Sequence, residues 1–201
     1  MSARTRAIIF DMDGTLTCQN LDFDLIRSEI GLDKVPILEA MREMTPGDRA
    51  RTEAILRRHE AVAADTSELQ PFAFEVVNAV RTAGLRVALM TRNSRHSVEV
   101  FQSRHGLVFD LVWTREDGPT KPSPEPILII CRKLSVEPAD TWSVGDYHYD
   151  IICGACAGTK TVLLVAEGRD RPPWAGEADY VIADLRELLG LLGVGDATTG
   201  R

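Results

Sequence analysis

The sequence predicts an α/β protein of the doubly wound, Rossmann-like kind: a parallel sheet with a small helical segment inserted after its first strand. Three observations predict it. Short apolar runs bounded by turn residues recur along the chain. Stretches with helical spacing separate them, the alternation that builds a parallel sheet covered on both faces. One interval, from about Thr17 to Gln70, contains helical patterns and no strand-like run.

The first strand is read at Ala7 to Phe10, and the later ones at Leu85 to Met90, Val108 to Trp113, Thr141 to Gly145, Thr161 to Val165 and Tyr180 to Ile182. Helices are read between them at Phe72 to Ala83, Ser94 to His105, Pro124 to Leu134 and Asp150 to Ala157. Inside the strand-free interval, Phe23 to Ile30, Pro36 to Met44 and Arg49 to Ala64 have helical spacing. There Pro46-Gly47-Asp48 supplies a turn and a helix start, and Pro71 marks the return to the sheet. The expected division is a core of residues 1–16 and 71–190, an insertion of residues 17–70 and a flexible tail of residues 191–201. The tail reading rests on the Gly- and Thr-rich composition from Gly190 onward.

With 201 residues, 44% of them hydrophobic, the chain can bury one substantial core and a modest subdomain. A formal net charge of -7, with both signs interspersed, argues against nucleic acid as a partner. No apolar run approaches the roughly 20 residues of a membrane span. Met1-Ser-Ala-Arg-Thr-Arg leads straight into the first strand, so no membrane association and a cytoplasmic location are expected. Cys18, Cys131, Cys153 and Cys156 lack the spacing of a secreted disulfide framework, in keeping with a reducing compartment.

Asp11-Met12-Asp13-Gly14-Thr15 follows the first strand directly, at the carboxyl end where open α/β sheets place ligands. Two acids one residue apart repel each other and raise a pKa unless donors or a cation compensate; a solvated acidic turn is the plain alternative. Asp146 and Asp150 stand at the end of a later strand, in Gly145-Asp146-Tyr147-His148-Tyr149-Asp150. Two acidic strand ends can face one cleft, and Mg²⁺ takes one or two carboxylates, waters and a substrate phosphate. The metal candidates are therefore Asp11, Asp13, Asp146 and Asp150. Asp150 reads either as a metal ligand, direct or through water, or as an acid complementing a helix dipole.

Thr91 closes the second strand, and Asn93-Ser94 can cap the helix that follows, a corner suited to anions. Lys121 lies in Pro119-Thr120-Lys121-Pro122-Ser123-Pro124, where prolines limit the entropy of holding a cation in place. Thr91, Arg92, Asn93 and Lys121 are the candidate phosphate and substrate contacts.

These four segments together resemble the haloacid dehalogenase superfamily, which carries an acidic pair, then Thr or Ser, then Lys, then a late acidic motif. The resemblance spans about Ala7 to Val165. It implies that Asp11 is a nucleophile and that Asp13 protonates the leaving oxygen and then activates water. Thr91 and Lys121 would hold phosphoryl oxygens, and Asp146 would help bind Mg²⁺. The insertion then corresponds to a helical cap, and the branch resembled is that of phosphoglycolate phosphatase and β-phosphoglucomutase. The implied function is Mg²⁺-dependent hydrolysis of a small phosphorylated metabolite through an aspartyl-phosphate. Cys18-Gln19, and Arg92 between Thr91 and Asn93, depart from the family's usual pattern.

Dehalogenation needs no acid two residues after the nucleophile, so Asp13 argues against it. Phosphonate cleavage requires a cap lysine, and Lys34, alone in the insertion, reads as a surface residue. A phosphomutase shares the whole core and is the enzymatic alternative; a phosphate-binding module without turnover is the non-enzymatic one. Cys153 and Cys156 have redox spacing but read as helix packing. His148 and Tyr147 read as scaffold beside the acidic motif. Arg49, Arg51, Arg57, Arg58 and His59, interleaved with Glu53 and Glu60, read as a solvated ion-paired helix face.

Overall fold

The computed structural model describes residues 5–194. Six strands, β1 (Ala7–Phe10), β2 (Arg86–Met90), β3 (Leu111–Trp113), β4 (Thr141–Gly145), β5 (Lys160–Leu164) and β6 (Tyr180–Ile182), form one sheet. Their order is β3-β2-β1-β4-β5-β6 and every pairing is parallel. The chain builds outward from β1 in one direction and then returns to β1's other side with β4, so the order reverses between β1 and β4. That reversal opens a crevice at the strands' carboxyl ends.

Alternation of side chains along each strand supplies both faces of the sheet. Ile8 and Phe10 join Val87, Leu89 and Val144 under helices α4 (Ala73–Thr82), α5 (Arg95–His105) and α8 (Arg186–Leu192). Ala7 and Ile9 join Ala88 and Met90 under α6 (Glu125–Leu134) and α7 (His148–Ala157). Three further helices, α1 (Phe23–Ile30), α2 (Ile37–Arg42) and α3 (Pro46–Asp65), occupy the strand-free interval. They have their own apolar cluster of Leu21, Ile26, Ile37, Met41, Leu56 and Ala63.

Differences from the sequence reading are local. Helix α3 begins at Pro46 rather than Arg49, because Thr45 caps it through Asp48 N at 3.3 Å and proline suits the first helical turn. Strand β3 begins at Leu111 rather than Val108: Val108 is exposed, and the Asp110 carboxylate takes the Val87 N–H at 2.7 Å. The tail reading is corrected at its start. Gly190 and Leu191 belong to α8, whose Leu188 and Leu189 are buried, and Gly193 ends it with φ 66°. Residues 195–201 of the expected tail lie outside the described residues. Among the described residues no helix is long and apolar enough to cross a membrane.

Candidate active site

Asp11 leaves the end of β1 with its N–H bonded to Val144 O at 2.9 Å, so β4 fixes its start. The chain then folds on itself: Met12 O accepts from Leu16 N and Thr17 N, each at 2.9 Å. Gly14 sits in this turn at φ 83°, and a Cβ there would lie 2.1 Å from Asp146 Oδ2. Only glycine combines that backbone with that approach. Gly145 makes similar room, since its Cβ would lie 2.2 Å from the Asp150 carboxyl carbon. Two glycines in these motifs thus let carboxylates from two strand ends close on one point.

Lys121 is buried between them. Its ammonium bonds Asp11 Oδ1 and lies 2.7 Å from Asp150 Oδ1. Asp150 Oδ2 accepts the N–H of Tyr147 at 3.1 Å, so one oxygen closes the first turn of α7 while the other faces the lysine. The two sequence readings of Asp150, helix acid and site acid, are compatible in a single side chain. Asp11, Asp146 and Asp150 each offer an oxygen, and these lie within 4.8 Å of one another.

Burial raises these acids. Asp11 is pushed up to about 6 by desolvation and by Asp150, against the pull of Lys121. Asp146 is pushed up to about 7 by desolvation and by Asp11 and Asp150, although Arg169 Nη1 stands 3.0 Å from its Oδ2. Burial alone would lower Lys121, but the Asp11 and Asp150 carboxylates outweigh it and hold the ammonium above the usual lysine range. Three carboxylates against one buried ammonium leave negative charge in excess. Oxygen donors at this separation, short of positive charge, fit a hard dication. The Asp13 side chain is not one of the three; among the described residues it points instead to Asn93, whose Nδ2 donates to Asp13 Oδ2 at 2.7 Å. Asp13 is pushed up to about 8 by desolvation, by Asp11 and by Glu60.

The second strand delivers Thr91 to the same crevice, buried, with its N–H on Trp113 O at 2.9 Å and its Oγ1 accepting from Asn93 N at 3.1 Å. Arg92 turns away from the acids. Its Nη2 meets both Glu39 oxygens of α2 at 2.7 and 2.9 Å, its Nη1 donates to Lys121 O at 3.1 Å, and it lies 5.1 Å over the Tyr149 ring. Arg92 and Asn93, expected as substrate contacts, thus have protein partners, though both still line the cavity.

That cavity, about 880 Å³, lies between the strand ends and the helices α1 to α3, and Asp11, Asp13, Thr91, Lys121, Asp146 and Asp150 all face it. A larger hollow of about 1260 Å³ at the amino ends of the strands, lined by Arg6, Lys160 and Tyr180 among others, holds none of the eight candidate residues. Three contributors escaped the sequence reading. Glu60 of α3 is only 2% exposed, takes the Ser94 N–H at 3.2 Å and pairs with Arg115 Nη1 at 2.5 Å. Arg115 also meets Glu53 at 2.9 Å, and Arg169 covers Asp146. The helix-face reading is corrected accordingly: Arg57 and Arg58 do pair on the surface with Glu53 and Glu29, whereas Glu60 is buried against the core. Cys153 is buried, in line with the packing reading, with its thiol pushed up to about 12 by desolvation, whereas Cys156 is exposed and corrects that reading; both are free.

The family model for haloacid dehalogenase-like hydrolases matches residues 8–164. A haloacid dehalogenase-like hydrolase domain-containing protein of Arabidopsis thaliana is 31% identical over 94% of this chain and 84% of its own length. The N-acetylmuramic acid 6-phosphate phosphatase of Pseudomonas aeruginosa is 28% identical over 94% of this chain and 95% of its own. Among solved structures, a putative hydrolase of the same superfamily from Bacillus subtilis, bound to magnesium, superposes with a TM-score of 0.68. It is 20% identical and covers 95% of this chain and all of its own.

Proposed function

Since the chain belongs to the haloacid dehalogenase-like hydrolase family, we propose that it hydrolyses a small phosphorylated metabolite, a phosphomonoester, through an aspartyl-phosphate on Asp11. The observation that carries this reading is the buried Asp11 carboxylate, held by Lys121 on one oxygen beside Asp146 and Asp150, with a second acid two residues on that burial pushes up to about 8. Asp11 attacks phosphorus and the bond to the leaving oxygen breaks. Asp13, protonated at neutral pH, gives that oxygen its proton and then removes one from the water that cleaves the acyl phosphate, returning phosphate and free Asp11. Lys121 and the Thr91 hydroxyl hold phosphoryl oxygens, and the Asn93 amide keeps Asp13 oriented.

Asp11, Asp146 and Asp150 are the side chains that would hold Mg²⁺, which when bound neutralises charge on the phosphoryl group. Helices α1 to α3, residues 17–70 with their linkers, act as a cap that excludes water above the crevice. The reading extends to a cytoplasmic enzyme, in keeping with four free cysteines. The test is phosphate release from a panel of small phosphomonoesters with Mg²⁺ or EDTA, comparing wild type with Asp11→Asn. Release should require the metal and fall about 10³-fold or more in the variant. Full activity in Asp11→Asn would remove Asp11 as nucleophile.

A further inference from the structure

Tyr147 follows Asp146 directly and is 59% exposed at the mouth of the 880 Å³ cavity. Its ring is braced. Tyr149 meets it at 5.3 Å and 76°, and Trp174 at 6.4 Å and 76°. Both neighbours are fixed in turn: Trp174 stacks on His148 at 4.6 Å, His148 meets Glu177 at 2.8 Å, and Arg92 lies over Tyr149. No described aromatic ring stacks parallel on Tyr147. Edge contacts on two sides leave such a ring fewer rotamers to lose, which lowers the entropy cost of stacking a partner on it.

The cap side of the same cavity is apolar. Phe23, 41% exposed at the start of α1, lines it together with Leu21, Val35, Ile37 and Leu38. A two-carbon phosphate would fill a small part of such a volume and leave Phe23 and Tyr147 in water. Cavities of this size enclose ligands of several hundred Å³, with apolar walls gripping the body and few polar groups fixing one end.

We propose that the Tyr147 ring is a stacking subsite for the leaving group, and that the substrate class is a phosphomonoester whose leaving oxygen is carried by a planar ring. This deepens the phosphatase reading and rests on it for the place of the phosphoryl group. Offset stacking is worth about 0.5–1.5 kcal/mol beyond area burial, which is roughly a two- to tenfold preference for a ring. Tyr147 acts by binding and holds the leaving group in line with Asp11.

The test uses titration calorimetry on the full chain with Mg²⁺, with phenylphosphonate and methylphosphonate as probes that cannot be hydrolysed. Wild type should bind the phenyl compound more tightly, Tyr147→Phe should keep that ratio, and Tyr147→Ala should lower it roughly two- to tenfold. In turnover, Tyr147→Ala should lower kcat/KM for phenyl phosphate roughly two- to tenfold more than it lowers kcat/KM for glycerol phosphate, a comparison in which the difference in leaving group cancels. Equal affinity for both phosphonates, or a preference of unchanged size in Tyr147→Ala, would overturn the subsite. Phosphate release that still depends on Asp11 would in that case leave the phosphatase reading standing. An intact ring preference without any turnover would instead contradict the catalytic reading and support the subsite.

Discussion

A buried ammonium holding two carboxylates is a residue-scale device whose cost falls on the rest of the fold. Removing Lys121 leaves Asp11 and Asp150 buried without their shared cation, a change of about 3–5 kcal/mol at neutral pH. Lys121→Met should therefore lower the melting temperature as well as reducing turnover about 10²-fold or more, and thermal unfolding in parallel with phosphate release checks both. Asp11, Asp13 and Asp146 all have folded pKa values raised above those of free aspartate. For a raised pKa, the folded state binds protons that the unfolded state has released. The stabilising effect is full below pH 4 and is lost as pH rises through about 6, 7 and 8. Metal-free protein should accordingly lose up to ~1.4 kcal/mol per pH unit per group across that interval, and added Mg²⁺ should flatten the loss. A series of melting curves with EDTA or Mg²⁺ between pH 5.5 and about 8.5 measures it. A stability rising with pH over that range in EDTA would contradict the assignment. The same Asp13 proton sets the alkaline limb of activity: kcat/KM should fall above about pH 8, and fall less for a phosphate with a good leaving group, which needs no acid.

At the scale of elements, the cap helices are tied to the core by charge as well as by packing. Glu60 and Glu53 of α3 converge on Arg115 from the β3–α6 connection, Arg57 reaches Glu116, and Arg92 of the β2–α5 loop holds Glu39 of α2. Glu60 also carries the Ser94 N–H, so α3 touches the loop that presents Thr91 and Asn93. Arg115→Met should destabilise by about 3–5 kcal/mol because it strands a buried Glu60, whereas Arg58→Ala, on an exposed pair screened by solvent, should leave stability nearly unchanged. Chemical denaturation of the two variants separates these cases. Here the sequence was least readable. Alternating signs along α3 describe a solvated face, and that description fits Arg57 and Arg58. Glu60 differs only because its partner, Arg115, arrives from 55 residues away, which no local pattern encodes. Asn93 is similar: its type and place marked a capping corner, but its hydrogen bond to Asp13 joins residues 80 apart.

For the whole molecule, what was legible came from periodicity that is local and strong. Strands β1, β4 and β6 have the bounds that their short runs predict, and the alternating helices follow from the same rhythm. Boundaries slipped where a side chain replaced a backbone partner, as Asp110 does for Val87, or where a cap set the start, as Thr45 does for α3. The last helix was hidden because glycines at 190 and 193 masked the apolar pair Leu188 and Leu189 that buries it. The convergence of Asp11, Lys121, Asp146 and Asp150 is a property of the topology. Strands β1 and β4 are neighbours only because the sheet reverses there, and two glycines let their acids approach. Gly14→Ala should therefore abolish turnover while the secondary structure by circular dichroism stays intact, since its Cβ meets the Asp146 carboxylate at 2.1 Å.

The central claim is that phosphate passes through Asp11. Acid quenching during turnover with Mg²⁺, followed by peptide mass spectrometry, tests it directly. The expected result is one added phosphoryl group on the peptide containing Asp11, absent in Asp11→Asn and labile at neutral pH. Phosphate release with no phosphopeptide at any quench time, or with the group on another residue, would contradict it.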